Sequence, residues 1–248
     1  MLYLVAVVIT AVSFVFAMLG LGGGMVYVPI LKWAGLPVKE AAIPLGLLLN
    51  GLNTLLALIP FSRKKLVDWK GGLVMATSAL VFAPIGAYTA QFVPVKALLV
   101  TFAIAVAVAA VRTLVVASHP DPETMMAPRK RSIIGTFVGG FAGFAGGMLG
   151  IGGGFIIAPV LLWMGYRAKE AAATTAFVVT FSSFSGFLGH TIEGQLDLAV
   201  VIPLVLAVIV GSQLGGYFMA TKAKPEWVKA LYGFVLLAIA VKLFFEVL

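Results

Sequence analysis

The feature that most constrains this chain is a glycine-rich stretch that occurs twice. Residues 18–29 read MLGLGGGMVYVP and residues 148–159 read MLGIGGGFIIAP, so the stretch recurs 130 positions later. The correspondence continues to a KEAA tetrapeptide, which occupies positions 39–42 in the first copy and 169–172 in the second. Similarity at one fixed separation indicates two homologous halves. We therefore predict a first transmembrane repeat over 1–117, a polar basic linker over 118–132 and a second transmembrane repeat over 133–248.

The amino-acid composition places the chain in a membrane. Hydrophobic residues make up 62% of it and charged residues only 10%, whereas soluble domains have about 45–50% and about 25%. The net charge is +8, but the Lys and Arg residues lie at the ends of apolar segments, where topology signals belong. We therefore expect an all-α, polytopic integral membrane protein surrounded by a lipid bilayer, with no nucleic-acid partner.

The glycine runs predict a break in a helix in each half. Three adjacent glycines disfavour a continuous helix, because each costs about 1 kcal/mol relative to alanine. At membrane depth, non-helical backbone is tolerated only where protein buries it or where it lines a wet cavity. Two such breaks are typical of discontinuous helices that form a substrate site near the bilayer midplane. The alternative is that the glycines only allow helices to pack closely.

The positions of the basic residues favour an inverted arrangement of the halves. The predicted apolar segments are 2–19, 24–33, 41–60, 71–92, 95–117, 133–149, 154–164, 171–189, 198–220 and 226–247. Segments 24–33 and 154–164 are too short to span a bilayer. If each glycine run turns the chain back, as a re-entrant or hairpin element, thirteen basic residues share one face and four the other, which is a strong positive-inside bias. The thirteen are Arg63, Lys64, Lys65, Lys70, Arg112, Arg129, Lys130, Arg131, Arg167, Lys169, Lys222, Lys224 and Lys229.

Each repeat then contains one hairpin and three transmembrane helices, and the two repeats are inverted relative to each other. Four simple crossings per repeat would divide the basic residues nine to eight, which carries no signal.

Neutral polar side chains follow each glycine element and predict an anion site. Asn50 and Asn53 lie one helical turn apart, and Thr180 and Ser183 occupy the repeat-equivalent positions. Such groups, together with the free N–H groups and dipole of a half-helix N-terminus, suit an oxyanion. The alternative is that they bond to neighbouring helices or to their own backbone. The predicted substrate-binding residues are Gly22, Gly23, Gly24, Asn50, Asn53, Gly152, Gly153, Gly154, Thr180 and Ser183.

The residue inventory argues against an enzyme. The chain has no cysteine, no nucleophile elbow, no HExxH motif and no lysine-bearing phosphate loop. Its two histidines lack the spaced partners of a zinc site. Glu40 and Glu170 are interpreted as charges at helix N-termini rather than as a proton relay. We therefore expect no catalytic residue, no metal and no cofactor.

The two motifs, GLGGGMVYVP and GIGGGFIIAP, are each followed by G(L/Y)xxKEAA, and with them the sequence resembles the TauE/SafE sulfite exporter family. The likeness covers essentially the whole chain. It implies a carrier, in a prokaryotic inner (plasma) membrane, for small sulfur-containing anions such as sulfite, sulfoacetate or related organosulfonates. It also implies that residues 22–24 and 152–154 correspond to the family's signature loops, but it assigns no ligand residues.

Three functions stay open at this point. The first is a secondary transporter that exports an oxyanion by alternating access at a site shared by the two breaks. The second is a gated anion channel, and the third is a non-transporting scaffold or sensor subunit. A homodimer is an open possibility for the assembly.

Overall fold

The chain folds into helices joined by short turns. The computed structural model describes residues 2–94, 124–190 and 197–224, together with single positions within 96–111 and 227–245. The helices with described bounds are α1 (Leu2–Leu19), α2 (Gly24–Trp33), α3 (Ile43–Arg63), α4 (Trp69–Thr89), α5 (Pro128–Leu149), α6 (Gly154–Trp163), α7 (Ala168–His190) and α8 (Leu198–Thr221). The predicted all-α fold is confirmed. Segments 95–117 and 226–247 lie outside the continuously described residues.

The two half-length helices begin where the glycine runs predict, at Gly24 and Gly154. The helical backbone that follows them starts three residues earlier than predicted, at Val38 in the first half and at Ala168 in the second. A π-helical turn, Val38–Ala42, leads into α3 because the carbonyl of Pro37 accepts hydrogen bonds from the amides of both Ala41 and Ala42. Helix α5 begins at Pro128, inside the predicted linker. The division into 1–117, 118–132 and 133–248 stays a prediction.

The helices are built for a lipid environment. Within the described residues, five helices are long and apolar enough to cross a membrane. Large apolar side chains point outward, for example Leu73, Phe137 and Leu206, which are 54%, 75% and 57% exposed. Polar side chains such as Asn50 and Ser183 are fully buried. An integral membrane protein accounts for this distribution, because bilayer hydrocarbon covers the exposed apolar surface.

Small residues bring helix backbones into direct contact. On α5, Gly139, Gly143 and Gly147 recur every four residues and face the backbone of α4. A Cβ atom on any of them would collide with an α4 carbonyl. On α8, Gly211 and Gly215 pack in the same way against the backbone of α1. This close approach is typical of helix association in membranes, where van der Waals packing replaces the hydrophobic effect.

Each glycine element turns the chain back to the end where it started. The amide of Met126, just before α5, donates to the carbonyl of Met164, just after α6. In the first half, Leu36, just after α2, lines a cavity with Asp197, which precedes α8. Helix α1 runs parallel to α8, since Gly211 meets Thr10 and Gly215 meets Phe14 further along both helices.

The two hairpins open at opposite ends of the helix bundle. Helix α3 leads from the end that carries Leu36 to the end that carries Asp68, which contacts the α6–α7 turn. A repeat-related contact agrees with this: Gly86 meets the carbonyl of Phe144, and Gly215 meets that of Phe14. These two contacts are repeat-equivalent, and the inverted relation of the halves stays a prediction. The orientation of the halves in a bilayer stays a prediction.

We predict that Gly23→Ala destabilises the fold more than Gly35→Ala. Both glycines have φ of +92°, so alanine at either position is strained by about 1–2 kcal/mol. At position 35 no atom lies within 4 Å of the added Cβ, whereas at position 23 the Tyr27 ring lies 2.6 Å away. Overpacking of this kind adds about 1–3 kcal/mol. Thermal unfolding of the two variants in detergent measures the difference, and equal melting temperatures would contradict it.

Candidate functional site

The backbone of both breaks has a conformation that only glycine adopts readily. Positive φ values occur at Gly20, Gly22 and Gly23 in the first break and at Gly150, Gly152 and Gly153 in the second. Gly23 and Gly153 directly precede the half-helices α2 and α6. The left-handed conformation ends the incoming helix and starts the next one in a new direction. The glycine runs are therefore true interruptions.

The two breaks lie against each other inside the protein. A Cβ atom on Gly24 would lie 2.9 Å from the Cα of Ile151, and a Cβ atom on Gly154 would lie 3.1 Å from the Cα of Leu21. No side chain fits between these backbones. The N-termini of α2 and α6 therefore meet at one place, which we call the crossing.

Asn50 of α3 joins the two breaks. Its Oδ1 accepts a 2.6 Å hydrogen bond from the amide of Gly24, the first residue of α2. Its Nδ2 donates to the carbonyl of Ile151 in the second break, at 3.4 Å, and to Oγ of Ser183 on α7, at 2.7 Å. A single fully buried side chain thus contacts both halves.

Asn53 fixes the first break to a buried tyrosine. Its Nδ2 donates to the carbonyl of Gly22 at 2.6 Å and to the hydroxyl of Tyr27 at 3.0 Å. The Tyr27 hydroxyl lies 2.6 Å from Oγ of Ser13 on α1. Oδ1 of Asn53 is buried and has no donor among the described residues. Because burial of an unpaired acceptor is unfavourable, this atom is a point where a ligand donor or a water would bind.

The second break is held in a similar way by α7. Ser182 donates to the carbonyl of Gly152 at 2.6 Å. Thr180 donates to Oγ1 of Thr54 at 2.9 Å, which connects α7 with α3. Thr180 is the repeat-equivalent of Asn50, but its hydroxyl contacts α3 instead of a half-helix amide.

All the predicted binding residues come together at or beside the crossing. The glycines of both runs, Asn50 and Ser183 form its centre, and Asn53 and Thr180 lie one contact away. Their binding of substrate stays a prediction. Sequence reasoning missed Ser13 and Tyr27; the available signal was a tyrosine inside the apolar helix α2, at the position where the other repeat has Ile157.

A second polar cluster lies at the end of the bundle that carries the α3–α4 turn. The Tyr166 hydroxyl donates to Oδ2 of Asp68 at 2.6 Å, and Nη1 of Arg131 lies 3.3 Å from that hydroxyl and 3.5 Å from Oδ2. Asp68 also caps α4 by accepting from the amide of Gly71. We call these three side chains the latch, because Asp68 belongs to the first half and the other two to the second. Sequence reasoning did not find it.

The contacts within the latch shift the pKa values of two groups. Burial raises the pKa of the Asp68 carboxyl, but the hydrogen bonds from Tyr166 and Gly71 and the charge of Arg131 outweigh burial, so the pKa lies below its usual range. Burial and the neighbouring carboxylate raise the pKa of the Tyr166 hydroxyl. Tyr166 is therefore a protonated donor and Asp68 a charged acceptor at neutral pH.

The opposite end of the bundle has a cavity at the equivalent place. Asp197 caps α8 as Asp68 caps α4, by accepting from the amide of Ala199. Leu36 occupies the repeat-equivalent position of Tyr166. A cavity of about 280 Å³ lies between the α2–α3 turn and the start of α8.

Apolar spanning helices around two crossed, interrupted helices define an integral membrane protein of the transporter class. The pattern that defines the Sulfite exporter TauE/SafE family matches residues 4–243, so the chain belongs to that family. Its resemblance to this family is thereby confirmed, and the chain is an integral inner-membrane protein.

Relatives support the same class. The chain is 26% identical to "Probable membrane transporter protein YunE" of Bacillus subtilis, over 93% of this chain and 92% of the relative. It is 25% identical to "Probable membrane transporter protein MJ0441" of Methanocaldococcus jannaschii, over 80% and 79%. It is 32% identical to "Sulfite exporter TauE/SafE family protein 1" of Arabidopsis thaliana, over 39% and 22%. No solved structure matches the chain significantly.

We predict that the stabilising effect of Asp68 disappears in acid. Its pKa is lower in the folded state, so the stabilisation is complete above the ordinary value of 3.8 and is lost as the pH falls through the folded-state pKa. The melting temperature of Asp68→Asn should therefore lie further below that of the natural protein at pH 7 than at pH 3. Tyr166→Phe should weaken this pH dependence, because it removes the main favourable hydrogen bond to the carboxylate.

Asp197→Asn is the control, since it removes a carboxylate that caps a helix without a tyrosine or arginine partner among the described residues. The same pH-dependent difference in Asp197→Asn would contradict an effect that is specific to the latch.

Proposed function

We propose that the protein exports small sulfur-containing oxyanions, such as sulfite or organosulfonates, by alternating access at the crossing. In this proposal it performs no chemical conversion of its substrate and requires no metal or cofactor. Its family is one of membrane transporters, and the family name refers to sulfite export. The proposal extends that class to a substrate, a site and a mechanism.

The observation that carries the proposal is the contact between Asn50 and Gly24. The N-terminus of α2 already holds an oxygen atom, Oδ1 of Asn50, at 2.6 Å from the Gly24 amide. A half-helix N-terminus carries about half a positive charge, and its amides point at the ligand. An anion oxygen would bind this amide more strongly than a neutral carbonyl does. We infer that substrate displaces the Asn50 side chain from the amide.

Displacement of Asn50 would also weaken the contact between the two halves. The same side chain donates to the second break and to Ser183, so its rotation would break contacts between the halves as well as free the amide. Substrate binding would then favour a rearrangement of one hairpin relative to the other. A ligand shifts a conformational equilibrium only by its difference in affinity for the two states, and loss of the Asn50 contacts supplies such a difference.

A weak, neutral site suits a carrier of a dianion or monoanion. The four side chains predicted at the site are uncharged, and the described part of the bundle interior around the crossing has no Lys or Arg. A full positive charge at the centre would bind the anion tightly and slow its release. Backbone amides and hydroxyl groups exchange their partners for water more easily.

We predict that Asn50→Asp lowers anion transport by at least about tenfold while the protein still folds. The substitution keeps the shape and the bond to the Gly24 amide, and it gives up the bond that Nδ2 donates to the Ile151 carbonyl, while the Ser183 hydroxyl can turn and donate to the new carboxylate. It places a carboxylate where the anion must bind, and two negative charges in contact repel strongly in an apolar interior. Uptake or efflux of radiolabelled sulfite in proteoliposomes measures transport, and size-exclusion chromatography measures folded yield. A loss of at least about tenfold corresponds to 1.4 kcal/mol or more.

Gln91→Glu provides the matched control, because it makes the same amide-to-acid change at an exposed position. It should transport like the natural protein. Normal sulfite flux through Asn50→Asp would contradict the proposal that the anion binds at the crossing. Saturable flux with counterflow supports a carrier, unitary currents would indicate a channel, and absence of flux for every sulfur oxyanion would indicate a scaffold or sensor subunit.

A further inference from the structure

Arg131 has hydrogen-bonding capacity that its partners do not use. Its Nε–H is buried and has no acceptor among the described residues. Nη1 is shared by three atoms: the Tyr166 hydroxyl at 3.3 Å, Oδ2 of Asp68 at 3.5 Å and Sδ of Met125 at 3.1 Å. Charge-assisted bonds between guanidinium and carboxylate are normally about 2.7–2.9 Å and often paired. The bond to Asp68 is therefore long and single.

The surroundings of Arg131 attract anions. Arg129 and Lys130 precede it at the exposed start of α5, and Lys70 in the first turn of α4 and Arg167 in the α6–α7 turn are exposed. These basic residues outnumber the two carboxylates of the region, Asp68 and Glu170, and an excess of charge of one sign raises the local concentration of counter-ions. A guanidinium with a free Nε–H is the group best suited to receive an oxyanion there, because its planar fork matches two oxygens at once.

The latch also connects to the crossing through α7. The amide of Asp68 donates to Oγ1 of Thr174 at 3.1 Å, next to the latch. Ser183, the partner of Asn50, lies nine residues further along the same helix, or about 13 Å at 1.5 Å per residue. Between them, Thr175 has a buried hydroxyl without a partner among the described residues. Buried polar side chains on α7 therefore lie between the latch and the crossing.

We propose that Arg131 is an oxyanion-binding residue at this end, and that an anion bound there replaces Asp68 as its partner and opens the latch between the two halves. This inference rests on the proposed transport function and adds an entry site and its gate. The long contact at 3.5 Å between Arg131 and Asp68 breaks first. The Tyr166 hydroxyl, which lies 3.3 Å from Nη1 of Arg131, then donates to the bound anion instead of to Asp68, so both contacts between the halves are released. Asp68 keeps the bond from the Gly71 amide, so its carboxylate is not left unpaired.

The absence of cysteine from the chain allows a direct test. Thr175→Cys introduces a single thiol at a buried position, one residue after the Thr174 contact with Asp68, and its reaction with a membrane-impermeant maleimide reports whether the latch is open. Methanesulfonate is the probe anion, because it does not react with maleimides. We expect methanesulfonate, added on the latch side of proteoliposomes, to accelerate labelling, and we expect Asp68→Asn to give fast labelling without it.

Arg131→Gln should abolish the response to methanesulfonate and raise the KM for sulfite from that side by about tenfold or more, as expected when one charge-assisted contact is lost. Arg131→Lys should retain part of the response, since lysine keeps the positive charge but lacks the planar guanidinium that binds two oxygens at once. Lys32→Gln is the control, because it removes an exposed basic side chain at the opposite end of the bundle, and it should behave like the natural protein. Folded yield of each variant is checked by size-exclusion chromatography.

Unchanged labelling and an unchanged KM in Arg131→Gln would overturn the inference, even if the protein transports sulfite normally. If Arg131→Gln does not fold, the test passes to Arg131→Lys, where a full methanesulfonate response with an unchanged KM overturns it. Failure of the natural protein to transport any sulfur oxyanion would instead refute the proposed function. The two failures are therefore distinguishable.

Discussion

The structure depends on the hydrogen bonds of the backbone that the glycine breaks expose. In a bilayer interior an unpaired amide or carbonyl is too unfavourable to persist, so each break must find partners inside the protein. The Gly24 amide and the Gly22 and Ile151 carbonyls find them in Asn50 and Asn53 of α3, and the Gly152 carbonyl in Ser182 of α7. The long helix after each break carries polar residues because it must satisfy that break. A reserve of such groups is also what a site for a polar solute needs.

The same requirement explains why the two breaks meet. Asn50 pairs its Oδ1 with the first break and its Nδ2 with the second, so its hydrogen bonds are complete only when the two breaks meet. The carbonyl of Ile151 in the second break and the hydroxyl of Ser183 accept the bonds from Nδ2. The crossing therefore buries both interruptions and satisfies their hydrogen bonds at one place. Glycines on α5 and α8 then let the flanking helices approach closely enough to seal the crossing from lipid.

Much of the fold could be predicted from the sequence, because its strongest signals are local. The starts of α2 and α6 follow from the preference of glycine for positive φ, and the helices from long apolar runs. The pairing of Asn50 with Ser183 and Ile151 could not be predicted, since a repeat shows which positions are equivalent but not the register in which the halves face each other. Tyr27 was missed for a related reason. Its counterpart in the second repeat is the apolar Ile157, so a comparison of the repeats does not identify position 27 as polar. The latch combines three residues from three separate segments, and no spacing in the sequence connects them.

The divergence of the two copies at the ends of the bundle bears on the direction of transport. The repeat gives each end an aspartate that caps the following helix, Asp68 at one end and Asp197 at the other. At the first end, Tyr166 and Arg131 hold the aspartate across the boundary between halves. At the second, Leu36 stands in place of Tyr166 and can donate no hydrogen bond, and a cavity of about 280 Å³ adjoins the cap. Two identical ends would favour neither direction of opening. Under the proposed alternating access, a latch at one end and an apolar turn at the other would make only one opening depend on the breaking of polar contacts, so a solute that binds those contacts would control one side of the membrane without affecting the other.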